Sequence, residues 1–285
     1  MTIQWFPGHM AKAKREVSDK LKQVDFVIEL VDARAPESTQ NPMLQDMLQS
    51  KPKLMVLMKR DLADSHVTSE WIEHYHTHNC EAVAINVQDK KDLQNVIASA
   101  RHLGQEKLDK LRAKGVRPRP ARAVILGIPN VGKSTLINRL ANRNMAETGD
   151  KPGVTKKQQW IKVKNQFDLL DTPGILWPKF EDEEVGYRLA AIGTIKEQIV
   201  PVEDVAAYVL NKLNSRYPDA LKQRYGLADV DDIELAFESI GSKRGCLESG
   251  GRVNLEKTAQ VILQDLRTGK LGGISFEEPE GSISY

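Results

Sequence analysis

The chain has 285 residues, of which 40% are hydrophobic and 28% charged, with a net charge of +2. This composition excludes a wholly disordered chain, and no run approaches the ~18 apolar residues that a membrane-spanning helix needs. Two cysteines far apart in the chain exclude a dense disulfide framework and favour a reducing compartment.

The predicted elements, in chain order, indicate an α/β protein with a mainly parallel sheet and helices on both faces. The first residues lack the apolar core of a secretory signal, so we expect a cytoplasmic protein. Apolar runs predict strands at 25–32, 54–58, 82–87, 121–126, 158–163 and 166–170. Helical patterns at 67–75 and 89–100 lie between strands, and residues 101–120 indicate a helix that runs into a proline-containing linker. Strands that alternate with helices favour parallel pairing.

After residue 177 the pattern changes to helices alone, predicted at 203–214, 220–225, 232–240 and 254–268. We therefore predict two domains, 1–177 and 178–285. Residues 178–285 hold 13 basic and 19 acidic side chains, whereas residues 1–177 hold 28 and 20. The basic excess fits a polyanion such as nucleic acid, or simply a solvated surface. The acidic residues from Ser275 onward predict a loose tail.

The segment after the strand at 121–126 fits a phosphate-binding loop. Gly127-Ile-Pro-Asn-Val-Gly132-Lys133-Ser134 matches GxxxxGK[ST] and opens a predicted helix, a context that disfavours a chance glycine turn. Lys133 would reach the β- and γ-phosphates of a nucleotide, and Ser134 would ligate Mg²⁺. The candidate nucleotide-binding residues of this loop are Asn130, Val131, Gly132, Lys133, Ser134 and Thr135.

A second motif, Asp171-Thr-Pro-Gly174, ends the predicted strand at 166–170. In P-loop GTPases, a DxxG at this place puts its aspartate near Mg²⁺ and its glycine N–H at the γ-phosphate. A simple turn is the alternative, which the preceding phosphate loop disfavours. Between the two motifs, Thr155 is the candidate for a loop threonine that closes on Mg²⁺ and the γ-phosphate.

A base-reading motif lies before the phosphate loop. The strand at 54–58 runs into Lys59-Arg-Asp61, in which Asp61 would accept from guanine N1–H and the 2-amino group, donors that adenine lacks. Met58 stands where asparagine is expected, and Asn86 ends a strand whose loop would back the base. Asn211-Lys-Leu-Asn214 lacks the carboxylate and lies in a predicted helix, so we treat it as unrelated. The usual order of GTPase motifs is therefore rotated.

This rotation resembles the circularly permuted GTPases, and most closely the ribosome biogenesis GTPase A family (YlqF/RbgA). The supporting segments are residues 3–11 (IQWFPGHMA), 31–34 (VDAR), 127–135, 152–155, 171–176 and 273–276 (GISF). The resemblance covers essentially the whole chain. It implies a P-loop GTPase fold with a smaller all-α C-terminal domain that contacts ribosomal RNA.

The resemblance also implies a function and its cofactors. The expected activity is Mg²⁺-dependent hydrolysis of GTP to GDP, which assists late assembly of the bacterial large ribosomal subunit and is stimulated by that subunit. Met58 departs from the family pattern, so we expect weaker nucleotide affinity, with Asp61 still favouring guanine. We also expect a monomer that does not bind membranes.

The residue that orients the attacking water is not obvious, because Ile175 follows the DxxG motif and cannot hydrogen-bond. His9, in the WFPGHM opening, is the candidate catalytic residue beside Lys133 and Gly174, with a structural histidine as the alternative. Asn130 is either a K⁺ ligand, as in related GTPases, or a loop-capping side chain. We also expect GTP and GDP to change the orientation or order of residues 178–285.

Two other functional classes remain open at this point. Met58 is compatible with an NTPase of relaxed base specificity, and Ile175 with a nucleotide-gated RNA-binding module that hydrolyses little. Residues 73–80 are rich in histidine and end at a cysteine, which suggests metal ligands, but a solvated helix end is the simpler interpretation.

Overall fold

A computed structural model describes residues 15, 17–48, 51–115, 119–142, 160–172, 174, 182–195, 200–230 and 232–280. In these ranges the chain forms a six-stranded sheet with helices around it. The strands are β1 (Phe26–Asp32), β2 (Lys53–Met58), β3 (Glu81–Ile85), β4 (Ala121–Gly127), β5 (Trp160–Val163) and β6 (Phe167–Leu170). Their spatial order is β3-β2-β1-β4-β6-β5, and only β5 runs antiparallel to its neighbour. The predicted mainly parallel α/β fold is confirmed.

The described helices beside the sheet are α1 (Pro42–Leu48), α2 (Ser65–Thr77), α3 (Lys90–Arg112) and α4 (Lys133–Ala141). Those that follow are α5 (Glu183–Ala191), α6 (Val202–Arg216), α7 (Pro218–Tyr225), α8 (Ile233–Arg244) and α9 (Leu255–Arg267). The sequence did not predict α1 or α5. Helix α1 is only seven residues long, and α5 buries Gly186 and two alanines, so neither has a long stripe of large apolar residues.

Alternate residues of the central strands face opposite helical layers. Ile28 of β1 packs in one cluster with Val96 of α3, whereas Val27 and Val31 pack in two smaller clusters that include α1 and α2. Because helices cover both faces, all seven residues of β1 are buried. This explains why the strand is a continuous apolar run and not an alternating one.

The largest hydrophobic cluster continues from the sheet into the helices after residue 182. Ile125 of β4, Leu189 of α5, Val205 of α6 and Leu263 of α9 all belong to it. The helical region therefore packs on the sheet through a shared core. The boundary between residues 177 and 178 remains a prediction, since residues 175–181 lie outside the described part.

The prediction of a loose tail from Ser275 is wrong for residues 275–280. Ser275, Phe276 and Glu277 are all buried. The Glu277 carboxylate accepts hydrogen bonds from the backbone N–H groups of Glu37 (2.8 Å) and Ser38 (3.0 Å). Acidic composition suggested a solvated segment, but these partners lie about 240 positions earlier in the chain and leave no local signal.

Candidate functional site

The carboxyl ends of the parallel strands bring the predicted motifs to one edge of the sheet, where α/β proteins bind ligands. The phosphate loop follows β4, and Asp171 follows β6. Lys59 follows β2, and Asn86 follows β3. We call residues 127–135, 171–172 and 174 the phosphate side of this edge, and residues 59–61 and 86 the base side.

Left-handed backbone shapes the phosphate loop between β4 and α4. Gly132, immediately before α4, has φ of 105°, and Asn130 has φ of 59°. At Gly127, an added Cβ atom would lie 2.9 Å from Cγ1 of Val131, too close for any side chain. Two of the motif's glycines are therefore required by the loop's own geometry.

The residues on either side of Lys133 differ in burial. Val131 lies in the hydrophobic core, so its backbone, and not its side chain, is the part available to a ligand. Ser134 and Thr135 are half-buried in the first turn of α4. The N–H groups and dipole of this helix end favour an anion.

Lys133 connects the two phosphate-side motifs. Its Nζ lies 3.1 Å from Oδ1 of Asp171, and it also donates a hydrogen bond to the carbonyl of Thr172. The Thr172 hydroxyl in turn donates to the carbonyl of Ile125 in β4 (2.7 Å). Lys133 and Asp171 are both buried, so this pair is held in a site with little water.

Gly174 lies against the backbone of the phosphate loop. A Cβ atom added to it would lie 3.0 Å from both N and Cα of Pro129. This approach is closer than nearly all real Cβ contacts, and rigid backbone atoms cannot move away cheaply. The DxxG glycine is thus in direct contact with the loop that precedes Lys133.

On the base side, Lys59 is held by a buried carboxylate. Its backbone is left-handed, with φ of 59°, and its Nζ lies 2.9 Å from Oδ2 of Asp32. The Arg34 guanidinium donates to both carboxylate oxygens of Asp32 at 2.8 Å. Burial alone would raise the pKa of Asp32, but the two positive charges outweigh it and hold the pKa well below its usual range.

Asp61 is exposed and lies in a 3-10 turn, Arg60–Leu62, that directly follows Lys59. Arg60 donates to Asp92 of α3 at 2.6 Å, and the same carboxylate oxygen accepts from the backbone N–H of Asn86 at 2.7 Å. Asp92 therefore ties the turn Arg60–Leu62, which we call the reader turn, to the loop predicted to back the base. The Asn86 side chain accepts from the N–H of Gln88, which closes its own loop.

Met58, at the position where asparagine was expected, is buried and belongs to the core. Its Cε atom lies 3.0 Å from where a Cβ on Gly132 would be placed. An apolar contact thus joins the end of β2 to the phosphate loop, where an amide side chain would offer hydrogen bonds. The two sides of the site meet through this methyl group.

Asn130 extends from the phosphate loop to the helical region. Its side-chain amide donates to the carbonyl of Thr194, three residues after the end of α5, at 3.2 Å. The Lys59 ammonium lies 3.5 Å from the Asn130 carbonyl. Asn130 is therefore connected to both the base side and the helices that follow residue 182.

Comparison with known proteins identifies the family. A family model described as "50S ribosome-binding GTPase" matches residues 122–231. The ribosome biogenesis GTPase A of Bacillus pumilus is 56% identical over 98% of this chain and 100% of its own length. That of Thermotoga maritima is 32% identical over 98% and 95%. This chain belongs to the ribosome biogenesis GTPase A family.

Solved structures agree with this ribosome biogenesis GTPase A assignment. A GDP-bound structure of TM YlqF aligns with a TM-score of 0.66 and 26% identity, over 93% of this chain and all of that one. GNP-bound YlqF from T. maritima gives 0.64 and 28%, over 94% and 99%. Family membership makes the chain a GTPase that binds guanine nucleotides and acts in ribosome biogenesis.

Three residues predicted for the site lie outside the described residues: His9, Thr155 and Ile175. Their predicted roles stay predictions. Among the residues that are described, no group of three or more His, Cys, Asp or Glu is placed to hold a metal, including at 73–80. In the same residues, no helix is long and apolar enough to cross a membrane.

Three side chains that shape the site were not predicted from the sequence. Lys20, in a short helical segment at 17–21, is buried and donates to the Asp171 carbonyl at 2.9 Å. Arg60 and Asp92 link the two base-side loops. Arg60 lies inside the KxD motif at its variable position, and nothing near Lys20 distinguishes it from other basic residues of the N-terminal segment.

Proposed function

We propose that this GTPase acts on the large ribosomal subunit during late assembly, and that the subunit stimulates its GTP hydrolysis. The 50S-binding description of the matching family model supports this partner. The observation that carries the proposal is the hydrogen bond from Asn130 to Thr194, because it joins the phosphate loop to the helical region. A change at the nucleotide can pass through this bond to the surface of the helical region. Binding of a partner to that surface can, in turn, change the nucleotide site.

On the phosphate side, Lys133 would bind the β- and γ-phosphates, and the Gly174 N–H would meet the γ-phosphate. Ser134, Asp171 and Thr155 would hold Mg²⁺. The residues fit this ion, since hydroxyl and carboxylate oxygens are the ligands it prefers. When bound, Mg²⁺ supplies positive charge that offsets the charge of the phosphates. Lys133 must then exchange the Asp171 oxygen for phosphate oxygens.

On the base side, the exposed Asp61 carboxylate would accept from the N1–H and 2-amino group of guanine. Lys59 would line the base pocket, held in place by Asp32. The turn at Asn86 would pack against the base from the side opposite to Asp61. Because Met58 offers no amide, nucleotide affinity is expected to be weak for a GTPase, while selectivity for guanine rests on Asp61.

Hydrolysis requires a group that orients the attacking water, and Ile175 cannot do so. We assign this role to His9, because histidine is the side-chain type best suited to proton transfer near neutral pH. The expected result for His9→Ala is unchanged GTP binding with loss of subunit-stimulated turnover. Intact stimulated turnover would remove His9 from the mechanism.

The helical region, residues 178–285, is proposed to contact ribosomal RNA and to differ in orientation or order between the GTP and GDP states. Asn130 is additionally a candidate K⁺ ligand, through the amide oxygen that the bond to Thr194 does not use. Equal turnover in K⁺ and Na⁺ would remove the K⁺ role. We place the protein, as a monomer, in the cytoplasm with its ribosomal partner.

The central experiment measures phosphate release from GTP and from ATP, with and without purified large ribosomal subunits. Strong stimulation confined to GTP is the expected result. Purified small subunits serve as the control for nonspecific RNA effects. Equal use of ATP would favour a relaxed NTPase, and the absence of stimulation together with nucleotide-dependent RNA binding would favour an RNA-binding module.

A further inference from the structure

Residues 272–277, which we call the C-terminal strap, follow α9 and cross the sheet edge directly behind the base side. The backbone N–H of Ile274 donates to the carbonyl of Leu62 at 3.0 Å. The Ser275 hydroxyl accepts from the backbone N–H of Asp64 at 3.2 Å. The strap therefore binds the last residue of the turn that contains Asp61 and the residue two positions beyond it.

The approach at Gly273 leaves no space for a side chain. A Cβ atom added there would lie 2.9 Å from the carbonyl carbon of Ala63 and would also contact the Ala63 oxygen. Ala63 follows the reader turn directly, and its N–H closes that turn on Arg60 at 3.3 Å. A methyl group at residue 273 would push on the backbone two residues after Asp61.

The strap also supports Lys59 from the other side. The N–H of Phe276 donates to the carbonyl of Arg34 at 2.7 Å. Arg34 donates two hydrogen bonds to the Asp32 carboxylate, and Asp32 in turn pairs with the Lys59 ammonium. One segment thus fixes both ends of the KxD motif, one directly and one through a buried ion pair.

The strap itself is anchored to the helical region as well as to the sheet. The Glu277 carboxylate pairs with Arg188 of α5 at 3.1 Å. The backbone carbonyl of Glu277 accepts a hydrogen bond from the Trp71 indole N–H at 3.2 Å. The Ser275 N–H donates to the Tyr217 hydroxyl at 3.2 Å. These contacts make the strap a rigid support for the reader turn.

We propose that the C-terminal strap is a positioning segment for guanine recognition, holding Asp61 and Lys59 in the geometry that binds the base. The proposal rests on the role of Asp61 as guanine reader given under Proposed function. It follows from the contacts above and from Met58, which contributes no amide hydrogen bond to fix the reader. The strap supplies hydrogen bonds to the backbone of the same turn.

A double-mutant cycle between the strap and Asp61 tests this. Ser275→Ala removes the acceptor of the Asp64 N–H, and Gly273→Ala inserts a methyl group at Ala63. Ser275→Ala is expected to weaken GDP binding about five-fold, the typical effect of one lost hydrogen bond, and Gly273→Ala at least as much, because its methyl group displaces the Ala63 backbone. In an Asp61→Ala background, the same substitutions are expected to change GDP affinity by less than about two-fold, because the positioned carboxylate is gone.

The matched control is Glu278→Gln, one residue beyond the strap, where the side chain pairs with Arg216 and not with the turn that contains Asp61. It is expected to leave GDP affinity unchanged. Thermal unfolding of every variant checks folding, and Ser275→Ala keeps the test valid if Gly273→Ala does not fold. The ratio of GDP to IDP affinity is a second readout, since inosine lacks the 2-amino group; it is expected to fall in both strap variants.

Two outcomes overturn the inference alone: equal losses of GDP affinity with and without Asp61, or no loss in either strap variant, while Asp61→Ala by itself weakens binding. If Asp61→Ala leaves GDP affinity unchanged, the reader role in the proposed function fails, and the inference fails with it. The GDP affinity of the single Asp61→Ala variant therefore tells these two failures apart.

Discussion

The phosphate side and the base side of the site are built in different ways. The phosphate side is made by short local segments: residues 127–135 form the loop and the start of α4, and Gly174 packs directly on Pro129. The base side depends on distant parts of the chain, since the turn around Asp61 is held by Asp92 and by the C-terminal strap. A local motif therefore suffices to describe phosphate contacts, whereas base recognition depends on tertiary structure.

Disabling the phosphate side gives the largest expected effect. Lys133→Ala removes the ammonium that lies 3.1 Å from Asp171 and leaves a buried carboxylate without this partner. We expect GTP and GDP affinity to fall about 100-fold, because hydrogen bonds between charged groups contribute up to about 3 kcal/mol. Nucleotide titration measures it, with Lys162→Ala, an exposed lysine on β5, as the matched control. A loss of less than about three-fold would contradict the assignment of Lys133.

Disabling the base side alone is expected to have a smaller effect that depends on the base. Asp61→Asn replaces two charge-assisted acceptors, so GDP affinity should fall about 30-fold. Affinity for XDP should rise, because the 2-oxo group of xanthine accepts from the new amide. Competition binding with both nucleotides measures the switch, and Glu73→Gln on the exposed face of α2 is the control. Equal losses for both nucleotides would show that Asp61 does not face the base.

Restoring an amide at residue 58 tests the contact between the two sides. Met58→Asn is expected to raise GDP affinity about three-fold by offering a hydrogen bond to the base side. It is also expected to lower the free energy of unfolding by about 2 kcal/mol, because a polar group enters the core beside Gly132. Calorimetric binding and urea unfolding measure the two effects. Met58→Leu, which keeps the volume and stays apolar, should change neither; unchanged or weaker GDP binding by the asparagine variant would refute the expectation.

The smallest expected effect is the acid dependence of the ion pair behind Lys59. The pKa of Asp32 is lowered in the folded protein, so its contribution to stability is present above the unfolded pKa of about 3.9 and is lost as the pH falls below it. We expect the difference in unfolding free energy between the protein and Asp32→Asn to stay constant from about pH 7 to 5. Below about pH 4 it should shrink by roughly 1 kcal/mol per pH unit.

Urea unfolding at several pH values measures this difference. The exposed pair of Asp19 and Lys22 offers a matched control, since Asp19→Asn should show little pH dependence. A difference for Asp32→Asn that grows as the pH falls would contradict the lowered pKa.

The sequence predicted the sheet and most helices well, because both rest on local signals. Buried strands appear in the sequence as apolar runs. The geometry of the phosphate loop requires glycines at fixed positions before its lysine, so this loop also leaves a local pattern. The strap, Lys20 and the Asn130–Thr194 bond were not predicted. Each joins residues more than 60 positions apart, and none of them changes hydrophobic periodicity or turn composition.

The rotated order of the motifs could be predicted from the sequence only in part. The order is visible in the sequence, yet its structural meaning appears only in the fold, where residues 59–61 and 86 lie at the same sheet edge as the phosphate loop despite preceding it in the chain. Helix α5 was not predicted because its buried face combines Gly186, Ala190 and Ala191 with only one large apolar residue, Leu189. Small residues pack closely but give a weak amphipathic signal.

The separation between Asp64 and Ser275, 211 positions, also sets an order of events during synthesis. Chains emerge from the N-terminus at about 5–20 residues per second, so the reader turn exists for roughly 10–40 seconds before its strap is made. The phosphate loop needs no such delay, because its contacts with β1 and β6 are complete by residue 174. A nascent chain would therefore acquire phosphate binding first and full discrimination between bases last, once its final helix and strap have docked.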